Sequence, residues 1–227
     1  MVKGLYTAYT GMRNEQRRMD ILTNNLANSD TTGFKKEGVT SQSFDSLLAY
    51  RIKDSSTPGV DAARIGSMNM GVKIGEVYTD YTQGPMKITD NTFDVALAGE
   101  GFFTIEFTNK EGETSTLYTR DGNFNMTKEG YLVTQDGDFV MGTNGQRIRL
   151  STTAAETKID RGGRIYQDGT QRAQMQITDF ENYDYLEKFG ENLYRPVDGA
   201  EEKEATAQTC RGKGEAPMVT WVMIWLI

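Results

Sequence analysis

Six glycine-closed dipeptides govern the middle of this chain: Glu111-Gly112, Asp121-Gly122, Glu129-Gly130, Asp136-Gly137, Asn144-Gly145 and Asp168-Gly169. The first five follow one another at intervals of ten, eight, seven and eight residues. Asp-Gly and Asn-Gly favour tight hairpin loops because both residues tolerate positive φ. Such spacing admits short strands and leaves no room for the roughly 10–15-residue helices that a parallel sheet needs between its strands. Upstream, Val72, Ile74, Glu76 and Tyr78 share one parity, and Phe93–Leu97 and Phe102–Phe107 add apolar runs. The expectation is a mainly β protein, with an antiparallel β domain over residues 72–198 built as a sandwich or distorted barrel. Phe93, Phe102, Phe103, Phe107, Tyr118, Phe124 and Tyr131 are its candidate core aromatics.

This domain is inserted between an N-terminal α-helix and a C-terminal helical or irregular segment. Leu5, Met12, Met19 and Leu26 recur every seven residues, and Ala8 and Leu22 sit three further on. That is a heptad seam, with Glu15 as its one polar intrusion. It is too short to bury itself well alone and calls for a partner helix. Asn24, Asn25, Asn28, Ser29 and Asp30 prefer caps and turns, so the helix stops near Asn28. Residues 1–35 thus form a helix and an asparagine-rich turn.

Residues 36–71 read as an irregular connector. Asp54–Gly59 is linker composition, and Phe44–Ile52 fits either a short helix or a strand. The last segment, 199–227, opens with helix-competent or charged-connector text (Ala200–Gln208) and turns atypical after residue 208. Gly212, Gly214 and Pro217 precede an apolar run, Met218–Ile227, of ten residues. As a helix that run reaches about 15 Å, half of a bilayer core. No basic-then-apolar secretory leader opens the chain.

Composition removes most enzyme chemistry. No histidine is present among 227 residues, which excludes Ser-His-Asp and Cys-His triads and HExxH zinc helices. The single cysteine, Cys210, excludes an intrachain disulfide and CxxC metal sites. A net charge of −7 argues against nucleic acid as partner. Asp121, Asn123 and Asn125 have the 1-3-5 spacing of a calcium loop, but Met126 stands where glycine is required and Leu132 where glutamate is. A hairpin turn is the expectation there. No catalytic, cofactor or metal residue is assigned. Two rivals to an interaction protein remain: a carbohydrate-binding β module, and a carboxylate-based β-fold hydrolase.

Three stretches carry a resemblance. Asp20–Lys35 (DILTNNLANSDTTGFK), Phe93–Phe103 (FDVALAGEGFF) and Tyr118–Phe124 (YTRDGNF), extended by Gly130–Thr134, resemble, in order, the motifs of bacterial flagellar rod and hook proteins. The likeness covers roughly residues 1–205. It implies a structural subunit of the basal-body rod, of proximal or distal rod type, with no cofactor and no small-molecule substrate. It further implies export by the flagellar type III apparatus without leader cleavage, and location in the basal body. Rod proteins of this kind polymerise as a tube that passes torque from motor to hook, terminal helices inside and the β domain outside. The heptad seam then meets the chain's own C-terminal helix and neighbouring rod or hook subunits. The motif residues Asn24, Asn25, Leu26, Ala27, Asn28, Gly33 and Phe34 would form the turn out of the helix, asparagine side chains satisfying helix-end carbonyls and adopting the left-handed conformation. From Thr209 the chain departs from the family pattern, as a shifted reading frame or a premature end would make it do.

Overall fold

The computed structural model describes residues 2–51, 63–89 and 91–215. The linker at Asp54–Gly59 and the apolar run at Met218–Ile227 lie outside the described residues. The chain divides into two compact units: Met1–Leu26 with Glu37–Asp80, and Ala27–Lys36 with Tyr81–Ile227. No helix among the described residues is long and apolar enough to cross a membrane.

The first unit holds the helix α1 (Val2–Ala27) and four strands: β1 (Glu37–Ser43), β2 (Leu47–Arg51), β3 (Ala63–Met68) and β4 (Val72–Thr79). Ten of the 26 residues of α1 are Leu, Met, Arg, Gln or Glu and no proline interrupts it, which favours the helix against the cost of Gly4 and Gly11. β1 and β4 pair antiparallel from Glu37↔Thr79 to Ser43↔Val72, with a bulge between Val39 and Ser41. Phe44 N–H then donates to Gly71 O at 3.0 Å, and β2 and β3 continue as a second antiparallel ribbon. The segment expected as an irregular connector therefore carries three strands. β1 runs EGVTSQS and its second half is exposed on both faces, so no period-two alternation marks it.

The second unit begins with β5 (Met86–Ile88), β6 (Val95–Ala98), β7 (Phe102–Thr108), β8 (Thr114–Thr119), β9 (Asn125–Met126), β10 (Leu132–Val133) and β11 (Phe139–Val140). It continues with β12 (Thr157–Ile159), β13 (Arg164–Gln167), β14 (Thr170–Gln174), β15 (Ile177–Phe180), β16 (Leu186–Phe189) and β17 (Leu193–Pro196). β18 (Glu202–Glu204), β19 (Gln208–Arg211) and β20 (Lys213–Glu215) follow. The main sheet has nine strands, in the order β16-β17-β8-β7-β11-β10-β9, with β15 also on β7 and β18 on β15. Among the described residues every strand pair is antiparallel and no barrel closes. Five of the six glycine dipeptides close turns as expected, Asp168-Gly169 with φ of 50° and 78°. The sixth, Asp121-Gly122, is no hairpin: its glycine is buried beside β6.

β7 separates two cores. Successive strand side chains point to opposite faces, so Phe103 joins Val95, Leu97, Phe124, Val140 and Met175, while Phe102 joins Tyr118, Phe180, Leu186 and Tyr194. Phe103 meets Phe124 edge-on at 5.1 Å, and Tyr118 meets Phe180 edge-on at 4.9 Å. Of the candidate core aromatics, Phe102, Phe103, Tyr118 and Phe124 are fully buried; Phe93, Phe107 and Tyr131 are partly so.

The C-terminal segment differs from expectation. Its described residues, up to Glu215, supply strands where helix or connector was expected: β18 pairs with β15, β19 with β6 and β20 with β5. Residues 209–215 are thus part of the sheet structure of the second unit. β4, expected at the start of the β domain, belongs to the first unit.

The two units differ in apolar burial. Among described α1 side chains, Ile21 is the only apolar one buried; the others are Thr10, Asn14 and Asn25. With so little apolar surface removed from water, local opening of the helix is cheap. Amide hydrogen exchange across Leu5–Leu26 is expected to run at least a hundredfold faster than across β6–β8. Equal protection in the two regions would contradict this account of the helix's stability.

Candidate assembly surface

α1 carries two stripes, and their polarity is inverted relative to a helix lying on its own core. The seam residues Leu5, Met12, Met19, Leu22 and Leu26 are between 50% and 74% exposed, and Ala8 is exposed with them. Glu15, the polar intrusion, is held by Arg18 at 3.0 Å on the same exposed surface. The structure brings all six seam residues onto one face and leaves that face uncovered by the described residues.

The buried stripe is polar and is fixed by hydrogen bonds to the strands of the same unit. Asn25 Nδ2 donates to Glu37 O at 2.8 Å, and Glu37 N–H donates back to Asn25 Oδ1 at 2.9 Å. This amide completes the backbone pairing of β1's first residue as a neighbouring strand would. Asn14 and Ser41 exchange hydrogen bonds at 3.0 and 3.2 Å. Thr10 Oγ1 lies 2.9 Å from Thr7 O and 3.4 Å from Met70 O.

At Asn25 the motif works differently from the expectation. Asn25 serves a strand's backbone and no helix-end carbonyl, and no asparagine of the motif has positive φ. Asn24, Leu26 and Ala27 are exposed, whereas Asn28 is buried and its Oδ1 accepts from Thr31 Oγ1 at 3.1 Å. The left-handed position falls on Gly33, at φ 69°. A Cβ there would stand 2.5 Å from Asp121 N, so glycine permits the approach. Phe34 is buried, with Lys188 Nζ 4.2 Å above its ring.

In the second unit the separated motifs converge. Thr32 Oγ1 donates to Asp121 Oδ1 at 2.7 Å, and Asn192 Nδ2 donates to Oδ2 at 3.1 Å. Burial pushes the pKa of the Asp121 carboxyl up from its ordinary value, against the lowering effect of the Thr32 hydrogen bond. Asp121 also accepts from Asn123 N–H at 3.0 Å, so it organises its own loop. Val95 N–H donates to Gly122 O at 2.9 Å, and a Cβ on Gly122 would fall 1.6 Å from Val95 O. That contact is why Gly122 lies inside the fold and not in a turn.

Behind this node lies a buried charge cluster that sequence reasoning missed. Lys35 Nζ pairs with Glu215 Oε1 and donates to Thr82 O at 3.0 Å. Gly84 N–H also donates to Glu215 Oε1, at 3.1 Å, and Arg120 Nη1 stands 3.8 Å from Oε2. Arg120 Cζ stacks 5.1 Å from the Phe102 ring centre. All three charged side chains are at most 3% exposed. Lys35 and Arg120 stand within the motif stretches, but nothing in the sequence flagged Glu215, which lies beyond the point where the family pattern breaks.

An outward apolar seam on a helix, ahead of an antiparallel β unit, presents the kind of surface that marks contact with another protein. Residues 5–35 match the family model described as "Flagella basal body rod protein", and residues 96–167 match "Flagellar hook protein FlgE/F/G D1 domain". The flagellar basal-body rod protein FlgG of Bacillus subtilis (strain 168) is 36% identical over 208 residues, covering 86% of this chain and 74% of the relative. FlgG of Agrobacterium fabrum is 34% identical over 88% of this chain and 76% of its own length. The rod protein FlgF of Caulobacter vibrioides is 30% identical over 96% and 83%. The chain belongs to the flagellar basal-body rod and hook protein family. It is accordingly a structural protein of the flagellar basal body, and the carbohydrate-binding alternative receives no support from these relatives.

Proposed function

We propose that this chain is a self-assembling subunit of the flagellar rod whose α1 seam packs against helices of neighbouring rod or hook subunits. The observation that carries the reading is the seam itself. Five large apolar side chains stand at least half exposed on a helix whose other face is docked through polar groups. Such a stripe gains stability when a second helix covers it. Torque passing from motor to hook is then borne by helix packing, with the β unit as the bulk of each subunit. The chain is exported through the flagellar type III apparatus and performs no catalysis. The lack of histidine and the net charge of −7 support a protein without an enzymatic or nucleic-acid role.

Thiol cross-linking in isolated basal bodies tests the seam. With Cys210 replaced by Ser, Met12→Cys and Met19→Cys chains are expected to form intersubunit disulfides under mild oxidation, and Arg17→Cys chains are not. Cross-linking that is equal at all three positions, or confined to Arg17→Cys, overturns the assignment of this face.

A further inference from the structure

We infer that Thr10, Asn14 and Asn25 are positioning residues: they fix which face of α1 is presented to a neighbour, and hold the helix so that its apolar seam cannot be buried against its own strands. The inference rests on the seam being the surface that meets neighbouring subunits. At about 100° per residue, the mean directions of the seam and of the Thr10–Asn14–Ile21–Asn25 stripe lie about 140° apart around the helix. In water an apolar stripe gains more by burial than a polar one. A helix free to roll on β1 and β4 would therefore turn its seam inward. Here it does the reverse, and the hydrogen bonds explain why.

Asn25 offers one donor and one acceptor, and the Glu37 backbone offers the complementary pair, at 2.8 and 2.9 Å. That double match is satisfied at one rotational setting only. A roll by a single residue position strands a buried amide and the Glu37 N–H and C=O together, and buried polar groups without partners are expensive. Asn14 repeats the device three turns earlier with Ser41, and Thr10 reaches Met70 O one turn beyond. The three contacts lie along one line of the helix, so they set its facing along most of its length. A lone buried asparagine fixes register in coiled coils by the same physics. The seam residues thus supply adhesion to a neighbour, and the polar line supplies the aim.

Thiol accessibility in the full chain tests this without requiring assembly. In a Cys210→Ser background, single cysteines are placed at Leu22 and Met19 on the seam and at Ile21 on the docked stripe, and maleimide labelling rates are measured. Seam cysteines are expected to react at least tenfold faster than the Ile21 cysteine. Adding Asn14→Ala with Asn25→Ala, which retains helix propensity, is expected to slow both seam cysteines at least fivefold and to speed the Ile21 cysteine. Helical circular dichroism should be retained. Asn25→Asp, which keeps the acceptor for Glu37 N–H and loses the donor, is expected to fall between. Unchanged rates overturn the inference. So does acceleration at all three sites with loss of helical signal, because the polar line would then be a tether and not an orienting device. The labelling ratios stand independently of cross-linking in basal bodies, so failure of the seam reading and failure of the positioning reading give different results.

Discussion

Replacing Glu215 by Ala is expected to lower the melting temperature of the second unit by roughly 6–20 °C. The change strands Lys35 and Arg120, both buried, without the carboxylate that balances them. Removing one member of a buried ion pair costs roughly 3–5 kcal/mol, and about 2–4 °C follows from each kcal/mol in a domain of this size. It also leaves Gly84 N–H without the acceptor that Glu215 Oε1 provides. Truncation after Gly212 should be at least as damaging, since it further deletes β20 from β5. A Lys35→Met, Arg120→Met, Glu215→Leu triple variant should recover much of the loss, because apolar replacement of a whole buried charge cluster is often neutral. Scanning calorimetry of the four chains decides the matter. A shift below about 2 °C for both Glu215→Ala and the truncation would mean that the pair is not buried as described.

Leu22→Asp and Leu26→Asp are expected to abolish incorporation into rods while leaving the second unit's melting unchanged. Both side chains are at least half exposed, so a carboxylate there loses little in the isolated chain. In a helix–helix contact the same carboxylate must be desolvated without a partner, at a cost of several kcal/mol. At about 1.4 kcal/mol per tenfold, the association constant falls by more than a hundredfold. The measurement is recovery of the tagged chain in purified basal bodies, compared with Arg17→Asp as an exposed control. Incorporation of the Leu22→Asp chain at the control level would remove the seam from the assembly surface.

The helix, the turns and most of the inner aromatics were legible because each leaves a local signature. Leu5 to Leu26 repeats at seven, Asn144-Gly145 and Asp168-Gly169 are turn chemistry, and Phe102-Phe103 is an apolar pair inside a strand. What was not legible depends on contacts distant in sequence. β1 has Gly, Ser or Gln at four of its seven positions and β3 at two of six, and the burial along β1 follows no alternation, so these strands leave little trace in the sequence. β18 is EKE, an edge strand fixed by pairing with Thr178–Phe180 and by nothing in its own composition. Asp121-Gly122 has hairpin text but is claimed by Thr32 and Val95 from elsewhere in the chain. Asn25 announced a helix end, and the partner that gives it a role, Glu37, is twelve residues away. The seam was readable as an apolar stripe; that it faces outward followed only from the polar stripe behind it.

The Lys35–Glu215 pair spans 180 positions of the chain. A ribosome delivers Lys35 early and Glu215 late, and through all the intervening synthesis the lysine has no carboxylate to bury against. Closure of so long a loop is slow, and the contacts that reward it come last. The ion pair that ties Lys35 to β20 therefore forms only after β20 has been made.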